Sequence, residues 1–173
     1  MQVGVLALQG AFKEHIQALH RLKVPTVEVR LPRDLDQAAG LIIPGGESTT
    51  IGKLAVQFDL MDPLLRFAQA KPIWGTCAGM IFLAKGIDQT QPSLGIMDIV
   101  VARNAFGRQN ESFQIDLDIP VLNQFEPGPF PGIFIRAPRL VAVKGAAQTL
   151  ACLPDGTGVA AREGQRLLSA YHP

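Results

Sequence analysis

The chain has 173 residues, of which 47% are hydrophobic and 18% are charged, with 16 basic and 15 acidic residues. This composition excludes a disordered chain and favours a well-buried globular protein of one-domain size. The balanced charge excludes the basic stripe that nucleic-acid binding needs. No apolar run approaches the roughly 20 residues that span a bilayer, and the N-terminus lacks the basic flank of a signal peptide. With only two cysteines, too few for a disulfide framework, a cytoplasmic protein with reduced thiols is expected.

The first half of the chain alternates between strand-like and helix-like patterns. Apolar runs of strand length and segments of helical spacing follow one another, the strands at residues 3–8, 24–29, 40–43 and 73–74, the helices at 11–23, 50–58 and 60–70. Strands that are apolar on both faces and separated by amphipathic helices predict an α/β fold with a mostly parallel sheet. Ligands bind beyond the carboxyl ends of such strands. We therefore expect the functional site at Gln9-Gly10, Pro44-Gly45-Gly46 and Gly75-Thr76-Cys77.

The second half, from about Ile96 onward, is read as β-rich. Short runs such as residues 96–103, 112–119 and 132–137 are separated by clusters of proline and glycine. We predict that these runs are antiparallel or mixed additions to the same sheet rather than a second domain. Residues 1–173 are accordingly expected to form one domain.

The sharpest chemical signal is a cysteine between two glycines, in Gly75-Thr76-Cys77-Ala78-Gly79. The segment joins a predicted strand to a helix that begins near Met80, and the glycines permit the tight turn of a nucleophile elbow. The N–H groups at the start of that helix are expected to favour the thiolate. Although a free cysteine is more often a small buried apolar residue, this setting predicts a nucleophile. Cys152, inside an apolar run without glycines, is assigned to the core.

A thiolate that attacks an amide needs N–H donors for the developing oxyanion. The backbone N–H of Ala78 offers one donor, and the Pro44–Thr50 segment offers a second near Gly46, where glycine lets the backbone approach a substrate closely. An ordinary turn, with Ser48 or Thr49 capping the next helix, is the alternative, and both interpretations are compatible.

Three histidines could serve as the general base, namely His15, His20 and His172. His15 and His20 lie on the first predicted helix and are expected to be surface residues. His172 follows an apolar strand at its carboxyl end, on the edge of the sheet where Cys77 is expected. His172 is therefore the predicted partner of the thiol.

Several longer motifs accompany this elbow. They are Gly4–Gly10, Glu14-His15, Pro44–Thr50 with its Gly-Gly-Glu-Ser-Thr-Thr core, Gly75–Gly79, Arg103–Gln109, Phe134–Pro138 and Tyr171-His172-Pro173. Together they resemble the class I, or triad, glutamine amidotransferases, and most closely the glutaminase subunits of pyridoxal 5′-phosphate synthase. The elbow alone is typical of the superfamily, whereas the Arg103–Gln109 and Phe134–Pro138 segments are more specific.

The resemblance implies a flavodoxin-like three-layer α/β sandwich that hydrolyses L-glutamine to L-glutamate and ammonia, with no cofactor and no metal. It implies Cys77 and His172 as catalytic residues, Gly46 and Ala78 as the oxyanion hole, and a glutamine site formed by Gly46, Glu47, Ser48, Arg103, Ile135 and Arg136. A guanidinium suits the substrate carboxylate because it makes paired charge-assisted hydrogen bonds. Without the motifs, Arg103 and Arg136 would be read as solvated surface charges.

In that family the ammonia passes to a barrel-shaped synthase subunit, which uses it to build pyridoxal 5′-phosphate. The resemblance therefore implies a hetero-oligomeric complex and weak activity of the isolated subunit. The expected docking face includes the first helix, with Glu14 and His15, and the loop at Gln9-Gly10. The rival hypotheses are a glutaminase serving another synthase, a hydrolase or chaperone-like protein of the same fold, and a non-catalytic scaffolding subunit.

The chain departs from the family pattern at its end. The family continues past His-Pro with a glutamate that orients the histidine and with a final helix, whereas this sequence stops at Pro173. A triad without its acid would have a poorer base, with a cost of up to about 10⁴-fold in the serine protease example. The expectation is that a C-terminal segment with the glutamate and the helix follows in the whole protein.

Overall fold

The computed structural model describes residues 1–103, 112–125 and 127–172. Three features named in the sequence lie partly outside this part of the chain. They are residues 104–109 of the motif that begins at Arg103, Glu126 of the Pro/Gly-rich segment, and Pro173 after the predicted catalytic histidine.

A seven-stranded sheet forms the centre of the molecule. Its strands are β1 (Gln2–Leu6), β2 (Thr26–Val29), β3 (Ala38–Ile43), β4 (Ile73–Thr76), β10 (Gln148–Cys152), β11 (Gly158–Glu163) and β12 (Arg166–Ser169). They lie in the order β10-β11-β12-β4-β3-β1-β2. The five strands from β12 to β2 are mutually parallel, and β11 is antiparallel to both of its neighbours. The predicted α/β class with a mostly parallel central sheet is confirmed.

Four α-helices connect the strands of the first half. They are α1 (Phe12–Arg21), α2 (Ser48–Gln57), α3 (Met61–Ala70) and α4 (Ala78–Leu83), and two short 3₁₀ helices cover Pro32–Gln37 and Pro120–Leu122. The first three helices were predicted to within two residues at each end, because their apolar positions repeat at helical spacing. Within the described residues, no helix is long and apolar enough to cross a membrane.

The strand order explains where the site lies. Residues buried in succession, such as Leu41, Ile42 and Ile43 on β3, show that the central strands are covered on both faces. The chain passes from β1 outward to β2 and then returns to β3 on the other side of β1, which creates a switch point between β1 and β3. A crevice therefore opens beyond the carboxyl ends of β1, β3, β4 and β12.

The second half was predicted only in part. As expected, β10, β11 and β12 extend the central sheet. However, β5 (Ala84–Ile87), β6 (Met97–Ala102) and β9 (Arg139–Val143) form a separate three-stranded sheet, and β7 (Ser112–Leu117) pairs with β8 (Phe130–Ile135) in a two-stranded sheet. The prediction that all these runs join one sheet was wrong. The burial of β6 and β8 alternates residue by residue, which is typical of sheets covered on one face only.

The assignment of Cys152 to the core was also wrong. Its side chain is exposed at the end of β10, whereas the neighbouring residues Ala151 and Leu153 are buried. Side chains on a strand point alternately to opposite faces, so an apolar run on an edge strand directs every second residue outward. The sequence of the run did not reveal which residues would face the core.

Candidate active site

Cys77 occupies a sharp turn between β4 and α4, as the flanking glycines predict. Its backbone φ of 49° and ψ of −103° are unusual for a residue with a side chain. The turn is held by a 2.8 Å hydrogen bond from the Cys77 backbone N–H to the carbonyl of Ser169 on β12. A Cβ atom on Gly75 would lie 2.5 Å from the backbone of Gly79, so a side chain at that position would not fit. The strained backbone is that of a nucleophile elbow.

The thiol of Cys77 is protonated at neutral pH. The residue is only 8% exposed, and this burial raises the pKa of the thiol to about 11. The Ala78 N–H and the positive charge of Arg136 lower the pKa, but they do not outweigh burial. The N–H of Ala78 at the start of α4 favours the thiolate, as expected, but burial has the larger effect and keeps the thiol protonated in the chain alone. A base must remove the proton as the sulfur attacks.

His172 faces Cys77 across Gly45. The His172 Nδ1 and the Cys77 Cβ both lie 3.2 Å from the position that a Cβ atom would take on Gly45, so a side chain there would fill the space between the two residues. The His172 backbone N–H donates a 2.9 Å hydrogen bond to the carbonyl of Ile133 on β8. Burial lowers the pKa of His172 below its ordinary value, and Glu14 opposes this shift only partly. The imidazole is thus neutral at pH 7 and can accept a proton.

His15 is buried, which contradicts the prediction that it is a surface residue. It is 4% exposed, its Nε2 lies 3.2 Å from the Thr76 hydroxyl, and its ring packs edge-on against Trp74 at 6.0 Å. His15 lies on the inner face of α1, which it shares with the partly buried Phe12, Ala18 and Leu19 at three or four residues' distance. His15 is therefore not available for the docking face suggested by the sequence, whereas Glu14 is exposed. His20 is exposed, as predicted.

The burial of His15 predicts that the protein loses stability below pH 6.5. Burial is the main cause that lowers the pKa of His15 from 6.5 to about 4, and His172 adds to this effect in its protonated, positively charged form at acidic pH. Between these values the unfolded chain binds a proton that the native protein does not, so the stabilisation is complete above pH 6.5 and is lost as the pH falls towards 4. We expect a loss of about 2 kcal/mol between about pH 7 and about pH 4.5 from this residue alone.

Urea unfolding of the wild type and of His15→Gln at both pH values measures this contribution. The variant should lose about 2 kcal/mol less than the wild type over the same interval. Equal losses in the two proteins would show that His15 titrates normally in the folded state.

The Gly-Gly loop after β3 leads into the cap of α2. The carboxylate of Glu47 accepts hydrogen bonds from the backbone N–H groups of Thr49 (3.0 Å) and Thr50 (2.7 Å), so Glu47, and not Ser48 or Thr49, caps the helix. Burial alone would raise the pKa of Glu47, but the hydrogen bonds from Thr50 and Thr49 lower it to about 2. This carboxylate is charged at any physiological pH and also pairs with Arg103 at 3.2 Å.

All nine site residues predicted from the sequence line one cavity of about 500 Å³ at the carboxyl ends of the central strands. They are Gly46, Glu47, Ser48, Cys77, Ala78, Arg103, Ile135, Arg136 and His172. Arg136, at the end of β8, has a φ of 46° and is exposed at the mouth of this cavity. The structure therefore brings a thiol, an imidazole, two guanidinium groups and a carboxylate to one crevice.

Gln9 lines the cavity, as its position after a predicted strand indicated, although the sequence assigned it no role. Its side-chain oxygen accepts a 2.8 Å hydrogen bond from the Glu47 backbone N–H and joins the β1 loop to the Gly-Gly loop. Gln91 was missed. The Gln91 side chain contacts Ser48, Thr49 and Arg103. It lies in a polar loop for which the sequence gives no such signal.

Comparisons with known proteins agree with this geometry. Residues 5–173 match the SNO glutamine amidotransferase family. The whole chain is 57% identical to pyridoxal 5′-phosphate synthase subunit PdxT of Herpetosiphon aurantiacus, covering 92% of that protein, and 54% identical to the protein of the same name from Carboxydothermus hydrogenoformans, covering 90%. The crystal structure of a glutamine amidotransferase, 46% identical in sequence, aligns with the whole chain at a TM-score of 0.92. The alignment covers 90% of that protein.

Proposed function

The chain belongs to the SNO glutamine amidotransferase family, and we propose that it is a glutaminase that supplies ammonia to the synthase subunit of pyridoxal 5′-phosphate synthase. It hydrolyses L-glutamine to L-glutamate and ammonia. The observation that carries this proposal is that Cys77, at its strained elbow, and the neutral imidazole of His172 lie side by side at Gly45. The names of relatives that are 46% to 57% identical over the whole chain support the synthase as the partner.

The reaction begins with transfer of the Cys77 proton to His172 as the sulfur attacks the side-chain carboxamide carbon of glutamine. Backbone N–H groups of Gly46 and Ala78 stabilise the oxyanion of the tetrahedral intermediate. His172 then gives the proton to the amide nitrogen, the carbon–nitrogen bond breaks, and ammonia leaves a γ-glutamyl thioester on Cys77. His172 next removes a proton from water, whose oxygen attacks the thioester, and glutamate departs as the thiol is reprotonated.

The charges of the cavity suit the backbone groups of a free amino acid. Glutamine carries an α-carboxylate and an α-ammonium group in addition to its reacting amide. Arg103 presents a guanidinium, and Glu47 presents a carboxylate held 3.2 Å from it. A guanidinium binds a carboxylate through paired charge-assisted hydrogen bonds, and a carboxylate attracts an ammonium group. We assign Arg103 to the α-carboxylate and place Ser48, Ile135 and Arg136 around the remainder of the substrate.

The resting state of the site fits an enzyme that works inside a complex. The thiol, with a pKa of about 11, and the neutral imidazole leave the nucleophile unionised in the chain alone. Ammonia released into water would be mostly protonated and would lose its nucleophilicity. Transfer of ammonia to the synthase is therefore more efficient when the two subunits are bound to each other, as we propose they are in the cytoplasm. The exposed face of α1 around Glu14 and the loop at Gln9-Gly10 are the proposed docking region.

Glutamate production with and without the synthase subunit of the same organism tests this function. We expect the rate of glutamine hydrolysis to rise about tenfold or more when the two subunits are mixed. The complex should form pyridoxal 5′-phosphate from glutamine, a pentose phosphate and a triose phosphate. Size-exclusion chromatography monitors complex formation in the same samples. If the chain hydrolyses no glutamine in either condition, the proposal is wrong.

A further inference from the structure

Arg103, which we assign to the substrate α-carboxylate, makes its shortest side-chain hydrogen bond to the amide oxygen of Gln91. The Oε1 of Gln91 accepts a 2.9 Å hydrogen bond from Nη1 of Arg103. The same oxygen accepts hydrogen bonds from the hydroxyl groups of Ser48, at 3.1 Å, and Thr49, at 3.3 Å. Gln91 thus joins the loop between β5 and β6 to the start of α2 and to Arg103. These residues lie far apart in the sequence.

The orientation of the Gln91 amide follows from the chemistry of its partner. A guanidinium has only donors, so it must face the amide oxygen rather than the NH₂ group. With this orientation, Nε2 of Gln91 is buried and has no hydrogen-bond partner among the residues that the structure describes. A buried donor without a partner is destabilising. The stability of the loop therefore does not explain this arrangement, whereas the placement of Arg103 does.

The remaining donors of Arg103 show which edge is left for a ligand. Nη1 also contacts the Thr49 hydroxyl and the Gln89 side-chain oxygen, each at 3.1 Å, and Nη2 contacts Glu47 at 3.2 Å. Nε makes no hydrogen bond within the described parts of the chain. The Nη1 end of the guanidinium is therefore held by the protein, whereas Nε and the second N–H of Nη2 remain as donors for the oxygens of a carboxylate.

We propose that Gln91 is a positioning residue that holds Arg103 ready for the α-carboxylate of glutamine and thereby sets the preference for an α-amino acid substrate. This inference rests on the proposed glutaminase function. Without the Gln91 oxygen, Nη1 loses its shortest hydrogen bond, and the arginine side chain is less firmly held before the substrate binds. The α-carboxylate is remote from the reacting amide and is bound equally in the ground and transition states. The loss should therefore appear in KM rather than in kcat.

Steady-state kinetics of Gln91→Met in the complex with the synthase subunit tests this role. Methionine keeps the length and bulk of the side chain and removes the acceptor. We expect KM for L-glutamine to rise about tenfold, with kcat changed less than about twofold, because a lost hydrogen bond to a charged group costs about one factor of ten or more. Gln57→Met, at the exposed end of α2, is the matched control and should behave as the wild type.

A substrate that lacks the α-carboxylate separates positioning from general damage. The decarboxylated analogue of glutamine, 4-aminobutanamide, cannot use Arg103. Wild type and Gln91→Met should therefore hydrolyse it with equal kcat/KM, whereas they differ about tenfold with L-glutamine. If Gln91→Met does not fold, Gln91→Asn provides the same comparison, because it keeps the amide and withdraws its oxygen by one methylene.

Two results would overturn the inference while leaving the glutaminase function intact. In the first, the folded variant has the wild-type KM for L-glutamine. In the second, the variant loses kcat/KM equally for L-glutamine and for the analogue, which would indicate structural damage. A wild-type complex that hydrolyses no L-glutamine is a third and distinguishable result, since it would overturn the proposed function and this inference with it.

Discussion

Replacement of Cys77 by alanine is expected to abolish glutamine hydrolysis, with kcat reduced by roughly 10⁴-fold or more. The thiol is the only group at the elbow that can form the thioester, and its backbone is already held at a φ of 49° for attack. Because alanine removes one sulfur from a buried site, the variant should still fold and should still bind the synthase. Glutamate release by the reconstituted complex measures the loss.

The second cysteine provides a matched control for this substitution. Cys152 is exposed at the end of β10, and Cys152→Ala should leave kcat and KM unchanged. A Cys77→Ala complex supplied with ammonium salts instead of glutamine should still form pyridoxal 5′-phosphate, because the synthase needs ammonia and not its source. Glutamine-dependent activity that survives in Cys77→Ala would show that another residue is the nucleophile.

Replacement of His172 by alanine should lower kcat by about 10³-fold to 10⁴-fold. The buried thiol has a pKa of about 11, so at neutral pH attack depends on a neighbouring base. Burial lowers the pKa of His172 below its ordinary value of 6.5, so the imidazole of the wild type is mostly neutral at pH 6.5 and above. The rate of the wild type should therefore fall only as the pH decreases below 6.5, and this acidic limb should disappear in the variant.

The exposed His20 is the control for this prediction. His20 lies on α1 with its Nε2 3.0 Å from the Thr26 hydroxyl, and His20→Ala should keep both the rate and its pH dependence. The double variant Cys77→Ala, His172→Ala should be no slower than Cys77→Ala, since the two residues act as one unit. A His172→Ala variant with more than about a tenth of the wild-type kcat would exclude His172 as the base.

Much of the site was predictable because its parts follow strands in the sequence. Parallel strands bring their carboxyl ends to one edge of a sheet, so the segments after β1, β3, β4 and β12 had to meet. The glycines around Cys77 indicated a turn too tight for side chains, and backbone atoms of Gly79 and Ile43 occupy the space that side chains on Gly75 and Gly79 would need. The resemblance of the longer motifs then assigned Arg103, Ile135 and Arg136 to the same cavity.

Properties that depend on burial were not predictable in this way. His15 was predicted on the surface and Cys152 in the core, and both predictions were wrong. The burial that raises the pKa of the Cys77 thiol was not foreseen either. Each depends on which face of an element is covered and on how much water remains beside a polar atom. These quantities are set by elements that are distant in the sequence, and a local pattern contains no record of them.

By itself, the sequence determined the mostly parallel α/β sheet and the elbow at Cys77, because periodicity, glycine spacing and strand ends are local properties of the chain. The glutamine-binding residues came from the resemblance of its longer motifs to a known family. Only the tertiary structure decided that His15 is buried against Thr76 and Trp74, that the β7–β8 pair stands apart from the central sheet, and that Gln91 contacts Arg103. Hydrogen bonds and desolvation act between atoms that folding brings together, and so their strength exists only in the folded molecule.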